Sequence, residues 1–313
     1  MRTSLVTGGA GFIGSHLVTA LVQRGDRVRV LDNLATGKLA NLQGVKDEIE
    51  FFEGDVTDRE LVERVVAGVD CVFHQAALAS MPRSIERPLE THTACVTGTV
   101  TLLDAARRCG VRRVVYAASS SAYGDQLTSS KREGDLPAPV SPYGAAKLAG
   151  EIYCQAFAAV YRLETVCLRY FNVFGPRQDP CGPYSAVIPR FITCLLKGQQ
   201  PTIFGDGRQS RDFSFVGNVV DCNLLAAEAP AVAGRVFNVG TGRNIDLLQL
   251  VATLNKLLGT CIQPRHEPPR IGDVRDSLAD ITLARSLLGY EPAVDLEQGL
   301  RLSIEYYRSI SEK

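Results

Sequence analysis

Thr7-Gly8-Gly9-Ala10-Gly11-Phe12-Ile13-Gly14 decides how the rest of this 313-residue chain is read. A short β-rich run, residues 4–7, precedes it, and a stretch of helical spacing, residues 13–23, follows. Glycines at 8, 11 and 14 let the backbone turn tightly and approach a phosphate. The free N–H groups and partial positive charge at the start of the next helix suit the same anion. A second β-rich run, residues 27–31, ends in Asp32, 18 residues after Gly14. A carboxylate there accepts hydrogen bonds from an adenosine ribose and repels a 2′-phosphate, so turn and acid together predict a site for NAD rather than NADP. Asp55 follows the third run, residues 50–52, and is placed to meet the adenine amino group. A helix N-cap or turn is the structural role open to either aspartate.

Further β-rich runs at 71–74, 114–117 and 165–168 alternate with helical patterns at 59–66, 96–108 and 143–161. Gly25, Gly68 and Gly110 stand just past three of the helical patterns, where a left-handed residue is wanted. Such alternation predicts an α/β fold with a Rossmann-like, doubly wound parallel sheet. After Leu168 the rhythm loosens. Residues 174–184 are rich in Pro and Gly, a helix is expected at 219–228 and a strand at 236–239, and residues 241–313 read as helices around a proline-rich segment, 264–269. The expected division is an NAD-binding domain (1–170 plus about 213–240) and a smaller C-terminal α/β substrate-binding domain (about 171–212 and 241–313).

Lysine plus arginine and aspartate plus glutamate both number 34, so the chain has no electrostatic footprint for nucleic acid. No apolar run approaches the roughly 18 residues of a membrane span, and the N-terminus enters a strand without a signal-peptide pattern. The nine cysteines include no Cys-x-x-Cys pair and the four histidines are isolated, which predicts free thiols, a cytoplasmic protein and no metal site.

The chemistry concentrates in Tyr143-Gly144-Ala145-Ala146-Lys147. A tyrosine and a lysine four apart share one helix face. A phenol, with a pKa of about 10, is a poor base at neutral pH, and a neighbouring ammonium favours its ionised form. Ser119, at the end of the run 114–117, can bring a hydroxyl to the same point and complete a proton-transfer site.

Glycine turn, Asp32, Asp55-Val56, Ser119 and Tyr143-x-x-x-Lys147 together resemble the extended short-chain dehydrogenase/reductase family. Within it the chain is most similar to the nucleotide-sugar 4-epimerases. The residues that carry this are 117–124 (Ala-Ala-Ser-Ser-Ser-Ala-Tyr-Gly), 141–147, Arg169-Tyr170-Phe171-Asn172-Val173-Phe174-Gly175, Gly205-Asp206-Gly207 with Arg211-Asp212-Phe213, and Gly272-Asp273-Val274-Arg275. The resemblance implies that Tyr143 as phenolate takes the proton of the sugar 4-hydroxyl while hydride passes from C4 to NAD. The 4-keto sugar then turns over and receives the hydride on its other face. Lys147 lowers the tyrosine pKa and holds the nicotinamide ribose, and Ser119 bonds the 4-oxygen. By the same resemblance Phe12, Ile13, Asn33, Gln75, Ala76, Tyr170 and Phe171 join the glycines, Asp32, Asp55 and Val56 at the cofactor. Ser80, Ser120, Asn172, Gln178, Ala186, Val187, Arg211 and Arg270 join Ser119 at a UDP-sugar.

Related dehydratases and decarboxylases carry an acid beside the catalytic hydroxyl. Ser120 and Ser121 stand there instead, which disfavours elimination of water. Ser277 matches a pocket-wall position where galactose-only members carry tyrosine. A serine leaves room for a 2-acetamido group and implies interconversion of UDP-GlcNAc and UDP-GalNAc, with UDP-glucose and UDP-galactose as weaker substrates. A UDP-glucuronate 4-epimerase or decarboxylase is the alternative, and the serine segment offers no basic residue for its C6 carboxylate. A catalytically silent NAD-binding protein is the remote one. Cys95 stands where relatives often have asparagine, and Ala79 where galactose epimerases have lysine. Family members pair as homodimers through helices matching 96–108 and 143–161. Val96, Val100, Leu103 and Ala106 either serve that face or pack on the sheet.

Overall fold

The computed structural model describes residues 1–126, 128, 130–181, 185–269 and 274–311. Arg270 and the Gly272-Asp273 part of its motif lie outside the described residues. β1 (Thr3–Thr7) leads into α1 (Phe12–Gln23), followed by β2 (Arg27–Asp32), β3 (Ile49–Glu53), α2 (Arg59–Val66) and β4 (Cys71–His74). Three helical pieces, α3 (Met81–Glu86), α4 (Pro88–His92) and α5 (Gly98–Arg108), precede β5 (Arg113–Ser119), and α6 (Pro142–Tyr161) precedes β6 (Glu164–Tyr170). Then come β7 (Val173–Phe174), α7 (Val187–Leu196), β8 (Thr202–Phe204), β9 (Ser210–Arg211), β10 (Ser214–Phe215), α8 (Val216–Glu228) and β11 (Arg235–Val239). The chain ends with β12 (Ile245–Asp246), α9 (Leu247–Leu258), β13 (Arg265–Glu267), β14 (Asp276–Ser277), α10 (Thr282–Leu288) and α11 (Leu296–Ser311).

Seven strands form one sheet in the order β11-β6-β5-β4-β1-β2-β3, every pair parallel. The order reverses between β1 and β4, where diverging connections leave a crevice at the strand ends. One face buries Leu17, Val18 and Leu21 of α1, Val219 and Ala226 of α8, and Ala284 and Leu288 of α10. The other buries Val62 and Val66 of α2, Leu102 and Ala106 of α5, and Phe157 of α6. This is the doubly wound arrangement the alternation predicts. Gly25, Gly68 and Gly110 close α1, α2 and α5 with φ of +86°, +72° and +69°.

A separate apolar cluster joins α7, α9 and α11 through Phe191, Leu195, Leu250, Leu254, Ile304 and Tyr307. Packing does not follow the expected boundary at residue 241, because Ala279, Ile281 and Tyr290 are buried with the sheet core. The helix α7 was not anticipated. Its Pro189 lies in the first turn, where a missing N–H is harmless, and Ile188, Phe191, Ile192 and Leu195 supply the buried face. The expected helix at 96–108 begins earlier, and residues Thr93–Thr97 form a π-helical turn between α4 and α5. Leu103 and Ala106 are buried in the sheet core, and Val96 is buried against Ala146 of α6.

α6 is seated on the sheet by a buried ion pair. Arg169 on β6 donates from Nε and Nη2 to the two carboxylate oxygens of Glu151 at 2.8 and 2.6 Å, and both side chains are 3% exposed. The Tyr123 ring lies under the guanidinium, 4.5 Å from its centroid. Removing one partner of so deep a pair costs about 3–5 kcal/mol. No helix among the described residues is long and apolar enough to cross a membrane. All nine cysteines are free thiols, five of them buried.

Burial lowers the pKa of His16 from 6.5 to about 4 and that of His74 from 6.5 to about 3. The unfolded chain therefore binds these protons at higher pH than the folded one. Stability should fall as pH drops below about 6.5, by roughly 1.4 kcal/mol per unit for each histidine, until the folded values are reached. Urea midpoints measured between pH 7 and 4.5 test this. His16→Gln should flatten the slope, and an unchanged slope would remove His16 from the account.

Candidate active site

Two adjoining cavities open along the crevice. One, of about 740 Å³, is lined by Gly8, Gly11, Gly14, Asp32, Asn33, Asp55, Val56, Gln75, Ala76 and Lys147. The other, of about 590 Å³, is lined by Ser119, Ser120, Phe171, Asn172, Val187, Arg211 and Ser277. Phe12, Ile13, Tyr143, Tyr170, Gln178 and Ala186 belong to both walls. The fold thus gathers every described candidate residue on one continuous cleft. Two sit elsewhere on it than expected. Ser80 lines the first cavity instead of the sugar side, because it caps α3 by accepting the Arg83 N–H at 3.2 Å. Phe171 lines the second instead of the cofactor side, its N–H bonded to the Val239 carbonyl at 2.9 Å.

The first cavity fits a dinucleotide. A Cβ on Gly14 would stand 2.1 Å from the Gly8 carbonyl oxygen, and Gly8 has φ +68° with Ala76 backbone 2.8 Å from where its Cβ would lie. The turn is therefore tight enough to present bare N–H groups at the start of α1. Asp32 Oδ2 accepts the Ala10 N–H at 2.9 Å and Oδ1 the Leu34 N–H at 2.8 Å, which fixes the carboxylate at the end of β2. Burial opposes the charge of Asp55, but hydrogen bonds from Thr57 and Asn33 outweigh it and hold its pKa below the usual value. Both aspartates thus have a local structural duty while lining the cavity.

Tyr143 and Lys147 come from the first turns of α6, whose N-cap Ser141 accepts the Gly144 N–H at 3.1 Å. Lys147 is buried and its Nζ donates to the Ala117 carbonyl at 2.8 Å. Burial lowers its pKa. Burial also raises the Tyr143 pKa above the ordinary phenol value, the Cys95 thiol adds to the rise, and a hydrogen bond with Ser119 opposes it. The expected depression by Lys147 is not seen in the chain alone. Ser119 Oγ accepts from Ser121 twice, from Oγ at 2.8 Å and from N at 3.2 Å. Its own proton is left to point toward Tyr143 and the cavity.

Sequence reasoning named Cys95 but missed how it is placed. It lies on the π-helical turn. Thr99 Oγ1 donates to the Cys95 carbonyl at 2.6 Å and so accepts from His74 Nε2 at 2.9 Å. That makes Nδ1 the acceptor from Thr7 Oγ1 at 2.7 Å, while Thr7 Oγ1 accepts the Ala76 N–H at 3.3 Å. A buried, directed chain of hydrogen bonds runs from the glycine-turn strand to the turn beside Tyr143. Phe204, Gln209 and Lys131 in the second cavity, and Arg177 in the first, were also missed, because they come from segments with no periodic signal.

Residues 4–240 match the NAD dependent epimerase/dehydratase family. The chain is 41% identical to a UDP-glucose 4-epimerase of Mycolicibacterium smegmatis, with 100% of each covered. Among solved structures, a UDP-glucose 4-epimerase of Thermotoga maritima with UDP-glucose superposes with a TM-score of 0.95 at 41% identity, covering 99% of this chain and 100% of that one. A UDP-N-acetylglucosamine 4-epimerase of Methanobrevibacter ruminantium, in complex with UDP-N-acetylmuramic acid, gives 0.95 at 37% identity, with 99% of each covered. By sequence and by structure, then, the chain belongs to the NAD-dependent epimerase/dehydratase family of extended short-chain dehydrogenase/reductase enzymes, as a member of its UDP-sugar 4-epimerase type with NAD as cofactor.

Proposed function

We propose that the enzyme interconverts UDP-GlcNAc and UDP-GalNAc, and more weakly UDP-glucose and UDP-galactose, through a 4-keto sugar. The observation that carries this reading is Ser277, a small side chain on the wall of the same cavity as Ser119 and Tyr143. In this reading Tyr143 takes and returns the C4-hydroxyl proton. Ser119, its Oγ oriented by Ser121, donates toward the 4-oxygen. Lys147 holds the ribose next to the nicotinamide. NAD, when bound, supplies the hydride-accepting ring, which carries a positive charge while oxidised. A cation beside a phenol favours its ionised form, so the buried Tyr143 becomes available as phenolate on loading rather than before it. Asn172, Arg211 and Arg270 take the UDP diphosphate. The guanidinium of Arg211 donates to the Ser210 and Arg275 carbonyls at 2.8 and 3.2 Å, which orients it at the rim of the cavity.

A uronate substrate calls for a cation near C6. Lys131 lines the cavity, but its Nζ donates to the Gln126 and Thr128 carbonyls at 2.7 and 3.1 Å, so its charge is already solvated by the chain. We also propose a homodimer in the cytoplasm. The support is an exposed apolar face on α6, Ile152, Tyr153, Val160 (69%) and Tyr161, near Leu89 (81%) of α4.

Purified enzyme given UDP-GlcNAc, UDP-glucose or UDP-glucuronate, with products resolved by NMR, should turn over the first fastest. Exclusive turnover of the glucuronate would sink the assignment. Tyr143→Phe should lower kcat by about 10²–10⁴ with NAD retained, and unchanged turnover would exclude the proposed base. Ser277→Tyr should lose UDP-GlcNAc turnover while keeping that of UDP-glucose. Equal losses on both sugars would show that residue 277 does not read the 2-substituent. Val160→Glu should give a monomer by sedimentation, and a native dimer would move the interface elsewhere.

A further inference from the structure

Asn238 on β11 is fully buried, lies behind the second cavity rather than on its wall, and has no part in the chemistry above. Its side-chain amide is nonetheless engaged at both ends. Nδ2 donates to the Lys131 carbonyl at 2.8 Å and to the Asp280 carbonyl at 3.1 Å. Oδ1 accepts from the Tyr123 hydroxyl at 2.7 Å. The two carbonyls fix which way the amide faces, since a flipped amide would set its oxygen against both of them. The Asn238 main-chain N–H donates to Glu133 Oε1 at 2.8 Å and holds the same segment as Lys131.

One side chain thus joins three segments far apart in sequence. Tyr123 and Lys131 line the sugar cavity, and Asp280 closely follows Ser277, which lines it too. The Lys131 N–H donates to the Leu278 carbonyl at 2.8 Å, and the Lys131 carbonyl accepts the Asp280 N–H at 2.9 Å. Little regular ladder holds this wall, because β14 is only Asp276–Ser277 and the pairing of Lys131 with Ala279 is an isolated bridge. The wall therefore depends on side chains packed behind it. Asp212 takes the Ala279 N–H at 3.3 Å from one side, and Asn238 closes the other.

We propose that Asn238 is a positioning residue for the substrate: by clamping Lys131 and Asp280 against Tyr123 it sets the width of the sugar end of the cavity, without touching sugar or cofactor. A buried carbonyl left without its donor is costly, so without the amide the Lys131 and Asp280 carbonyls would turn away to find water and the wall would open. Ser119, Tyr143 and Lys147 are seated by β5 and α6 instead, so the loss should appear in sugar binding and not in the chemical step. The inference rests on the reading of this cavity as the UDP-sugar site.

Steady-state turnover of UDP-GlcNAc and UDP-glucose, and calorimetric binding of UDP, would be compared in the NAD-loaded enzyme. Asn238→Ala should raise KM for the sugar nucleotides about tenfold, the effect of one lost buried hydrogen bond, with kcat within about threefold and UDP binding within about twofold. NAD content should be unchanged. Tyr123→Phe removes a single hydroxyl from the clamp and should raise KM about threefold in the same pattern, in line with the weaker loss of one neutral bond. It carries the test if Asn238→Ala does not fold. A fall confined to kcat, equal weakening of UDP, or an unchanged KM would overturn the role of Asn238. A wild-type enzyme that used UDP-glucose and not UDP-GlcNAc would sink the assignment of the sugar, while the KM for UDP-glucose would still decide for or against Asn238.

Discussion

The active-site helix can work only where it sits, and the Arg169–Glu151 pair holds it there. Glu151 is one turn beyond Lys147 on α6, and Arg169 is paired across the sheet with Ala118, next to Ser119. One buried contact thus ties the helix that carries the tyrosine and lysine to β6, the strand paired with the one that carries the serine. The same seating demands a glycine at 150, where a Cβ would stand 2.3 Å from the Tyr116 hydroxyl oxygen. That hydroxyl in turn donates to the Lys147 carbonyl at 3.2 Å. Ion pair, close approach and hydroxyl clasp act within two turns of α6, so the three catalytic candidates move as one rigid group.

Rigidity at this place has an electrostatic cost. A dry site raises the phenol and lowers the lysine, so both groups are pushed toward their neutral forms before any ligand arrives. On the proposed reading of Tyr143 as the base, its ionisation is completed by the charge that comes with the cofactor, which suits an enzyme whose cofactor stays bound while substrates come and go.

Much of this was legible in the sequence, for physical reasons that differ along the chain. The glycine turn, Asp32 and the strand–helix alternation could be read because a parallel sheet imposes short apolar runs and because pyrophosphate demands bare backbone. The spacing of Tyr143 and Lys147 survives because it is local to one helix. The π-helical turn at Cys95 could not be read, since one inserted residue leaves the apolar pattern almost unchanged. Nor could the role of Ser121, which follows from a hydroxyl rotamer. Arg177 and Lys131 come from loops whose partners are 158 and 5 residues away, in segments without periodicity. α7 was hidden by a proline that is harmless only in a first turn.

The backbone around Ser277 is fixed on both sides. Its carbonyl accepts the Asp212 N–H at 2.7 Å, and Ala279, two residues on, is buried in the sheet core and bridged to Lys131. If residue 277 reads the sugar, as proposed, selectivity is thereby uncoupled from the chemistry. One side-chain volume on a fixed wall could then be exchanged without disturbing α6 or the glycine turn, and such a scaffold would acquire a new substrate by drift at a single position, long before any change reached its reaction.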